Sequence, residues 1–445
     1  MRITLDIPDA MFHRLLDDVP LPQMALVEYR METPAPIDDV AEAVHATVRR
    51  AEIAGAVRPG ARIAIGVGSR GVARLGEMVR ALVAALRDLG ADPFVIPAMG
   101  SHGGATADGQ REVIARLGVD ETSVGAPVIA SMETEEIGRT TDGIAVRLDR
   151  AALGADGIVF VARVKPHTAF RGSYESGLAK MIAIGLGKQS GAAACHAAGF
   201  GDMARRVPLL AEVALATAPI LFGLATIENA YDRPFHVEAI PAGAILAREP
   251  ELLDRARAAM ARVPFEQLDV MVIDRIGKNI SGDGADPNIT GKYPTPFATG
   301  GPRVTKQLAL DLTDETEGNA NGIGTADLTT ARAVAKMSLA QTYPNGLTST
   351  VVGPTAIPMI LPDDRLALQA AILTCNPVGP EPRVMRIADT LTLGEFMVSG
   401  SLLEDVARDR ALTIIEVPRP LVFDTNGALL DLGTPGRIAV GARAG

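Results

Sequence analysis

Apolar residues along this chain fall into two alternating rhythms. Residues 61–67, ARIAIGV, are an unbroken apolar run of the kind a strand buried on both faces requires. Leu75, Met78, Val79, Leu82, Val83 and Leu86 then recur at helical spacing and predict a helix over about 73–89. DPFVIPA, residues 92–98, predicts the next strand, and GSHGGA a loop. Thr106 reads as the N-cap of a helix carrying Val113, Ile114 and Leu117. Strand, helix, strand, helix in succession predicts a parallel sheet with right-handed crossovers.

The pattern continues with GIVFVAR at 157–163, a polar loop VKPHTAFRGSYESG, and an apolar, helix-like stretch LAKMIAIGLG. Another strand is expected near 218–227 and an amphipathic helix over 249–263. At about residue 267 the rhythm restarts. LDVMVID reads as a strand, and residues 277–302 follow as a long segment rich in Gly, Pro and Asn. A structureless stretch of that length inside a compact enzyme is usually functional. Helices are expected near 327–340 and 364–374.

With 445 residues, the chain is long for one core. The expected fold class is therefore α/β in two domains, with the boundary at 265–269. Residues 1–266 would form a Rossmann-like parallel sheet carrying a cofactor site. Residues 267–445 would form a smaller α/β domain, with the site in the cleft between them. The tail after about 413 is expected to return to the first domain. Trp is absent and aromatics are only 4%, so the cores must be packed with Ala, Val, Leu and Ile, as under Ala-rich helices.

A net charge of −10 argues against nucleic acid, although a few local Arg and Lys residues could still hold a small carboxylate. Two cysteines make no disulfide framework. The N-terminus has no apolar leader, and the longest apolar run, 213–227, is broken by Pro219. These features predict a cytoplasmic protein with no membrane partner; its oligomeric state stays open.

Candidate chemistry gathers in the first half. His102 and His167 each follow a predicted strand, where the loops of an open α/β sheet converge on one crevice. His196 lies at an element end; His13, His45 and His236 lie elsewhere. Any one of the three could equally be a surface or structural residue. The turn Gly66-Val67-Gly68-Ser69-Arg70-Gly71 fits a dinucleotide fingerprint. The next strand, however, ends without the acidic residue that holds a ribose, so the turn is read as an anion site completed by Arg70. Lys180 stands among apolar residues, where burial would lower its pKa and make the amine a candidate attachment point; a solvent-facing lysine is the alternative. His196 follows Cys195, but one Cys-His pair is no zinc site, so a metal here would need ligands from an organic group.

Val164-Lys165-Pro166-His167-Thr168, then Gly177-Leu178-Ala179-Lys180 and His196, resemble the nickel-pincer-nucleotide lactate racemases and their homologues. So do Ser69-Arg70 and Gly100-Ser101-His102, and the order of these groups along the chain. The resemblance covers most of the chain and is strongest from about 61 to 200. It implies that Lys180 holds the pyridinium-derived cofactor (pyridinium-3-thioamide-5-thiocarboxylic acid mononucleotide) through a thioamide, with Ser69 also on the cofactor. His196 would complete a square-planar nickel site. His102 and His167 would stand on opposite faces of the substrate carbon as proton acceptors, Arg70 would hold the carboxylate, and Lys278 would be a second anion contact across the cleft.

The implied activity is isomerase chemistry, the racemisation or epimerisation of a 2-hydroxy acid with cofactor-making proteins as partners. The family's first loop usually reads Asp-x-Thr-Arg-Pro and its lysine motif Gly-Gly-Arg-Lys-Ser. This chain has Val67-Gly68-Ser69-Arg70-Gly71 and Gly177-Leu178-Ala179-Lys180-Met181, so the substrate is lactate or another hydroxy or sugar acid. A nicotinamide-dependent hydroxy acid dehydrogenase and a non-catalytic acid- or nucleotide-binding homologue are the alternatives.

Overall fold

The computed structural model describes residues 7–69, 71–377, 379–430 and 432. Two sheets organise them. The first has five strands in the order Asp92–Pro97, Arg62–Val67, Gly157–Arg163, Ile220–Glu228, Pro234–Pro241. The first four are mutually parallel and the last is antiparallel. Each predicted strand here falls within about two residues of its expected place, because a strand covered on both faces must be apolar at every position.

Successive residues of these strands alternate between two cores. Ala64, Ile158 and Phe160 face one core, with the segment from Leu178 and the helices Met203–Thr217 and Ile245–Ala259. Ile63, Ile65, Val159 and Val161 face the other, with helices Val40–Val48 and Leu75–Asp88. Thr106 caps its helix as expected, its side chain accepting from the Gly109 amide.

The second sheet has eight strands and takes residues from both chain ends. Gln267–Ile276 lies near its middle. On one side Arg303–Leu312, Leu328–Thr330 and Met359–Leu361 extend it in parallel. On the other side come Val384–Ile387, then the antiparallel strands Glu395–Ser399, Met24–Tyr29 and Leu412–Arg419. The tail strand pairs with Met24–Tyr29, a segment of residues 1–266 that itself lies in the second sheet and not the first. Its partner is the segment MALVEY, which has no distinctive period and whose pairing spans almost the whole sequence.

The helix expected over 327–340 is divided. Leu328–Thr330 ends in two β-branched threonines and adds to the sheet; Thr330 then caps Ala331–Lys336, and Ser338 caps a separate helix, Leu339–Ser349.

Residues 277–302 cover the loop that follows Gly157–Arg163. Lys165 pairs with Asp286 at 3.3 Å. Arg171 donates to Asn288 at 2.6 Å, to the Tyr293 hydroxyl at 2.8 Å and to the Thr299 carbonyl at 3.1 Å. The Arg171 guanidinium thus fastens residues 277–302, which follow a strand of the second sheet, to the His167 loop at the edge of the first. No described helix is long and apolar enough to cross a membrane.

Phe160 is fully buried at the centre of the first sheet and fills the space left by Gly66 and Gly223. Truncating it leaves a cavity that the surrounding strands cannot close. Phe160→Ala should lower the unfolding free energy by about 3–5 kcal/mol in urea titrations; a loss below about 1 kcal/mol would contradict this packing.

Candidate active site

Asp92–Pro97, Arg62–Val67 and Gly157–Arg163 are adjacent and parallel, so their carboxyl ends open on one edge. His102, Ser69 and His167 follow them, which is where such sheets form a crevice. The helical segment from Leu178 packs across that edge. A Cβ on Gly66 would lie 3.1 Å from Leu186 and from Phe160, and one on Gly68 3.0 Å from Met181. The Gly-x-Gly pattern therefore allows a helix to approach a strand end, and that packing explains it without a dinucleotide.

The His102 loop rests on the same segment. A Cβ on Gly100 would meet Ile184 at 3.2 Å and Ala192 at 3.4 Å. Gly100 has φ +62°, which glycine adopts without the usual side-chain penalty. The Ser69 hydroxyl is in short hydrogen-bond contact with His102 Nδ1. Because a hydroxyl can donate or accept, either tautomer of His102 is compatible with that contact.

Lys180 ends the turn Leu178–Lys180, and the chain continues as a π-helix, Met181–Gly185. Wide turns of this type recur at functional sites. The turn begins on a buried carboxylate. Glu249 Oε2 accepts from the Ala179 amide at 2.7 Å. A Cβ on Gly177 would lie 2.2 Å from Glu249 Oε1, so the residue before this turn has to be glycine. Burial pushes the Glu249 carboxyl up to about 7, opposed by the backbone amides it accepts from.

His196 closes the helix Lys188–His196. Its Nδ1 lies 2.8 Å from the Ala192 carbonyl, an arrangement that puts the ring proton on Nδ1 and leaves Nε2 as a lone-pair donor. Burial, and then the Lys180 ammonium, pull its pKa below the ordinary histidine value, which keeps the ring neutral as a metal ligand must be. Its neighbour Cys195 is buried against Met203, and burial pushes that thiol up to about 11, well away from thiolate chemistry.

Two phenylalanines gather these groups. The His167 ring is 4.5 Å from Phe170 and 6.0 Å from Phe200. His196 is 5.5 Å from Phe200, and the Lys180 ammonium is 5.8 Å from the Phe170 ring. Phe170 and Phe200 are themselves 6.4 Å apart. His167, Lys180 and His196 therefore cluster around the Phe170–Phe200 pair.

His167 is mostly buried, and its backbone is fixed by Glu175. That carboxylate accepts from the His167 amide at 2.6 Å and the Gly172 amide at 3.1 Å, and is matched by Arg257 at 2.6 Å. The Ala169 amide donates to His167 Nδ1 at 2.9 Å, so the neutral ring carries its proton on Nε2.

Lys278 is held within its own loop, its ammonium donating to the Gly282 carbonyl at 2.6 Å and its amide to Thr316 at 3.0 Å. Arg70 lies outside the described residues. Among the described residues, no three His, Cys, Asp or Glu side chains come together as a metal site.

Phe170, Phe200, Glu175 and Glu249 were not among the expected site residues. Phe170 and Glu175 fall in the segment expected as a polar loop, and Glu249 in the helix expected over 249–263. The one available signal was Gly177 before an apolar turn, a glycine whose missing side chain makes room for a distant carboxylate.

Residues 14–207 match the family model described as the lactate racemase N-terminal domain. The comparison with curated proteins found no match. Among solved structures, the lactate racemase apoprotein from Thermoanaerobacterium thermosaccharolyticum is similar, with 12% identity and a TM-score of 0.52. The alignment covers 83% of this chain and 99% of that one. At that identity the likeness is one of fold.

The Glu249 carboxyl gives a pH prediction. Its folded pKa is raised, so its favourable contribution is complete below the ordinary glutamate range and is lost as pH rises through about 7. Stability should therefore fall across that window by an amount on the order of a few kcal/mol at most. Glu249→Gln should flatten this part of the stability profile in denaturant titrations at pH 4.5 to 8. An unchanged slope would show that Glu249 does not titrate there.

Proposed function

We propose, on the premise that this chain is a lactate racemase-like homologue, that it inverts the carbinol carbon of a 2-hydroxy acid, either lactate or a related hydroxy or sugar acid. The observation that carries this reading is the gathering of His167, Lys180 and His196 around Phe170 and Phe200, with the His102 loop packed on the same helical segment.

The residues present suit the family's cofactor. Lys180 provides an amine for covalent attachment, and His196 a neutral imidazole whose Nδ1 is already engaged by a carbonyl. Ser69 stands beside His102 as a further polar contact. A nickel-pincer nucleotide, when bound, supplies a reversible acceptor for the hydride of the substrate carbon. Filling such a site would call for cofactor-making partner proteins.

The chain's own residues then manage a proton. His102, whose Nδ1 meets the Ser69 hydroxyl, is assigned as the acceptor of the hydroxyl proton. His167 presents Nε2–H and donates a hydrogen bond to the oxygen as it becomes a carbonyl. For the opposite enantiomer the roles exchange, and His167 must first release the Ala169 amide so that Nε2 can accept. The apolar walls supplied by Phe170 and Phe200 exclude water and strengthen these contacts. Arg70 is assigned to the substrate carboxylate because it follows Ser69, and Lys278 to a second anionic contact from the facing domain.

The test is co-expression with cofactor-making enzymes, followed by intact mass, nickel content and chiral chromatography of a panel of 2-hydroxy acids. A mass increase lost in Lys180→Ala, nickel lost in His196→Ala, and interconversion of enantiomers are expected. An unshifted mass with no nickel and no interconversion would reject the reading. In the loaded enzyme, His102→Asn and His167→Asn should each lower kcat by about 10²–10⁴-fold, the usual worth of a positioned proton acceptor. A loss under about threefold for either would remove that residue from proton transfer.

A further inference from the structure

Lys188 is fully buried, yet it begins the helix that ends at His196, and its φ of +53° lies in the left-handed region that a non-glycine residue rarely adopts. Its ammonium stands 3.0 Å from Asp149, which is also fully buried. It donates to the Pro97 carbonyl in a short contact, and to Gln110 Oε1 at 3.2 Å. Burial pulls the amine below the ordinary lysine value, while Asp149 favours the charged form. A methionine and a leucine would fill such a space at lower solvation cost, so stability alone does not account for the pair. Strain in a buried, charged residue points to a task.

Gln110 identifies the task. It too is fully buried, and its amide nitrogen donates to the Gly100 carbonyl at 2.9 Å and the His102 carbonyl at 3.2 Å. An ammonium can only donate, so Lys188 forces the Gln110 oxygen to face it. Both amide hydrogens are thereby turned toward the loop. That loop needs holding: Gly100, Gly103, Gly104 and Ala105 all have positive φ, and its own backbone bonds are long, 3.2–3.4 Å.

We propose that Lys188, acting through Gln110, is a positioning residue that locks the His102 loop in register with the helix bearing His196. The proposal rests on the racemase reading for its catalytic consequence, though not for its structural one. One buried ammonium would fix the distance between the proton acceptor at His102 and the ligand at His196, since it bonds to the loop through Gln110 and belongs to the helix itself.

Gln110→Met is the main test, because it leaves Lys188, Asp149 and the Pro97 contact in place. Backbone amide exchange in the unloaded protein should accelerate at least tenfold at His102, Ala105 and Thr106, with no change in strand Arg62–Val67. In the loaded enzyme kcat should fall at least tenfold while KM stays within twofold. Lys188→Met combined with Asp149→Asn removes the pair without leaving one charge alone, and should produce the same local exchange signature. Unchanged exchange in the loop, or acceleration spread evenly over the first sheet, would overturn the proposal. If the wild-type protein shows no mass shift, no nickel and no interconversion of the acids tried, the racemase reading fails, and the exchange measurements still decide this one.

Discussion

The close approach of one helical segment to the carboxyl edge of a parallel sheet is the constraint on which this molecule depends. The segment Leu178–Leu186 packs tightly there against Gly66, Gly68 and Gly100, where an added Cβ would lie 3.0–3.2 Å from its side chains. Once seated, it brings Lys180 to the Phe170–Phe200 pair and meets the loops that carry Ser69 and His102. The next helix then delivers His196. A larger residue at Gly66 would displace either Leu186 or Phe160, and both are core residues of the same domain. Packing and chemistry are therefore coupled at the strand ends, as expected where loops of an open sheet converge.

Around that contact, ionisable groups with little or no solvent exposure hold backbone rather than substrate. Glu175 secures the His167 amide, Glu249 the start of the Lys180 turn, and Lys188, through Gln110, the His102 loop. Each charge is costly to desolvate. Each is offset differently: Glu175 by arginines, Lys188 by Asp149, and Glu249 by a backbone amide together with a raised pKa. Loops rich in glycine have little conformational preference of their own, so these fixed charges supply their positional precision.

The second domain takes part through the Arg171 guanidinium, which bonds to the long loop at Asn288, Tyr293 and Thr299 and to the His167 carbonyl at 2.6 Å. Lys165 and Asp286 add an ionic contact at the same seam.

Periodicity alone determined the parallel strands at 62–67, 92–97 and 157–163, the helix after each of the first two, and the placement of His102 and His167 behind strand ends. Those features follow from local rules, since a doubly covered strand must be apolar throughout and an amphipathic helix must repeat near every third or fourth residue. Only the tertiary structure decided that Phe170 and Phe200 would join His167, Lys180 and His196, that Gly-x-Gly would serve a helix, and that Met24–Tyr29 would pair with the tail strand. It also decided that Glu249 and Lys188 would be buried. Each of these depends on residues far apart in the chain, and no local pattern records a partner that folding alone brings within reach.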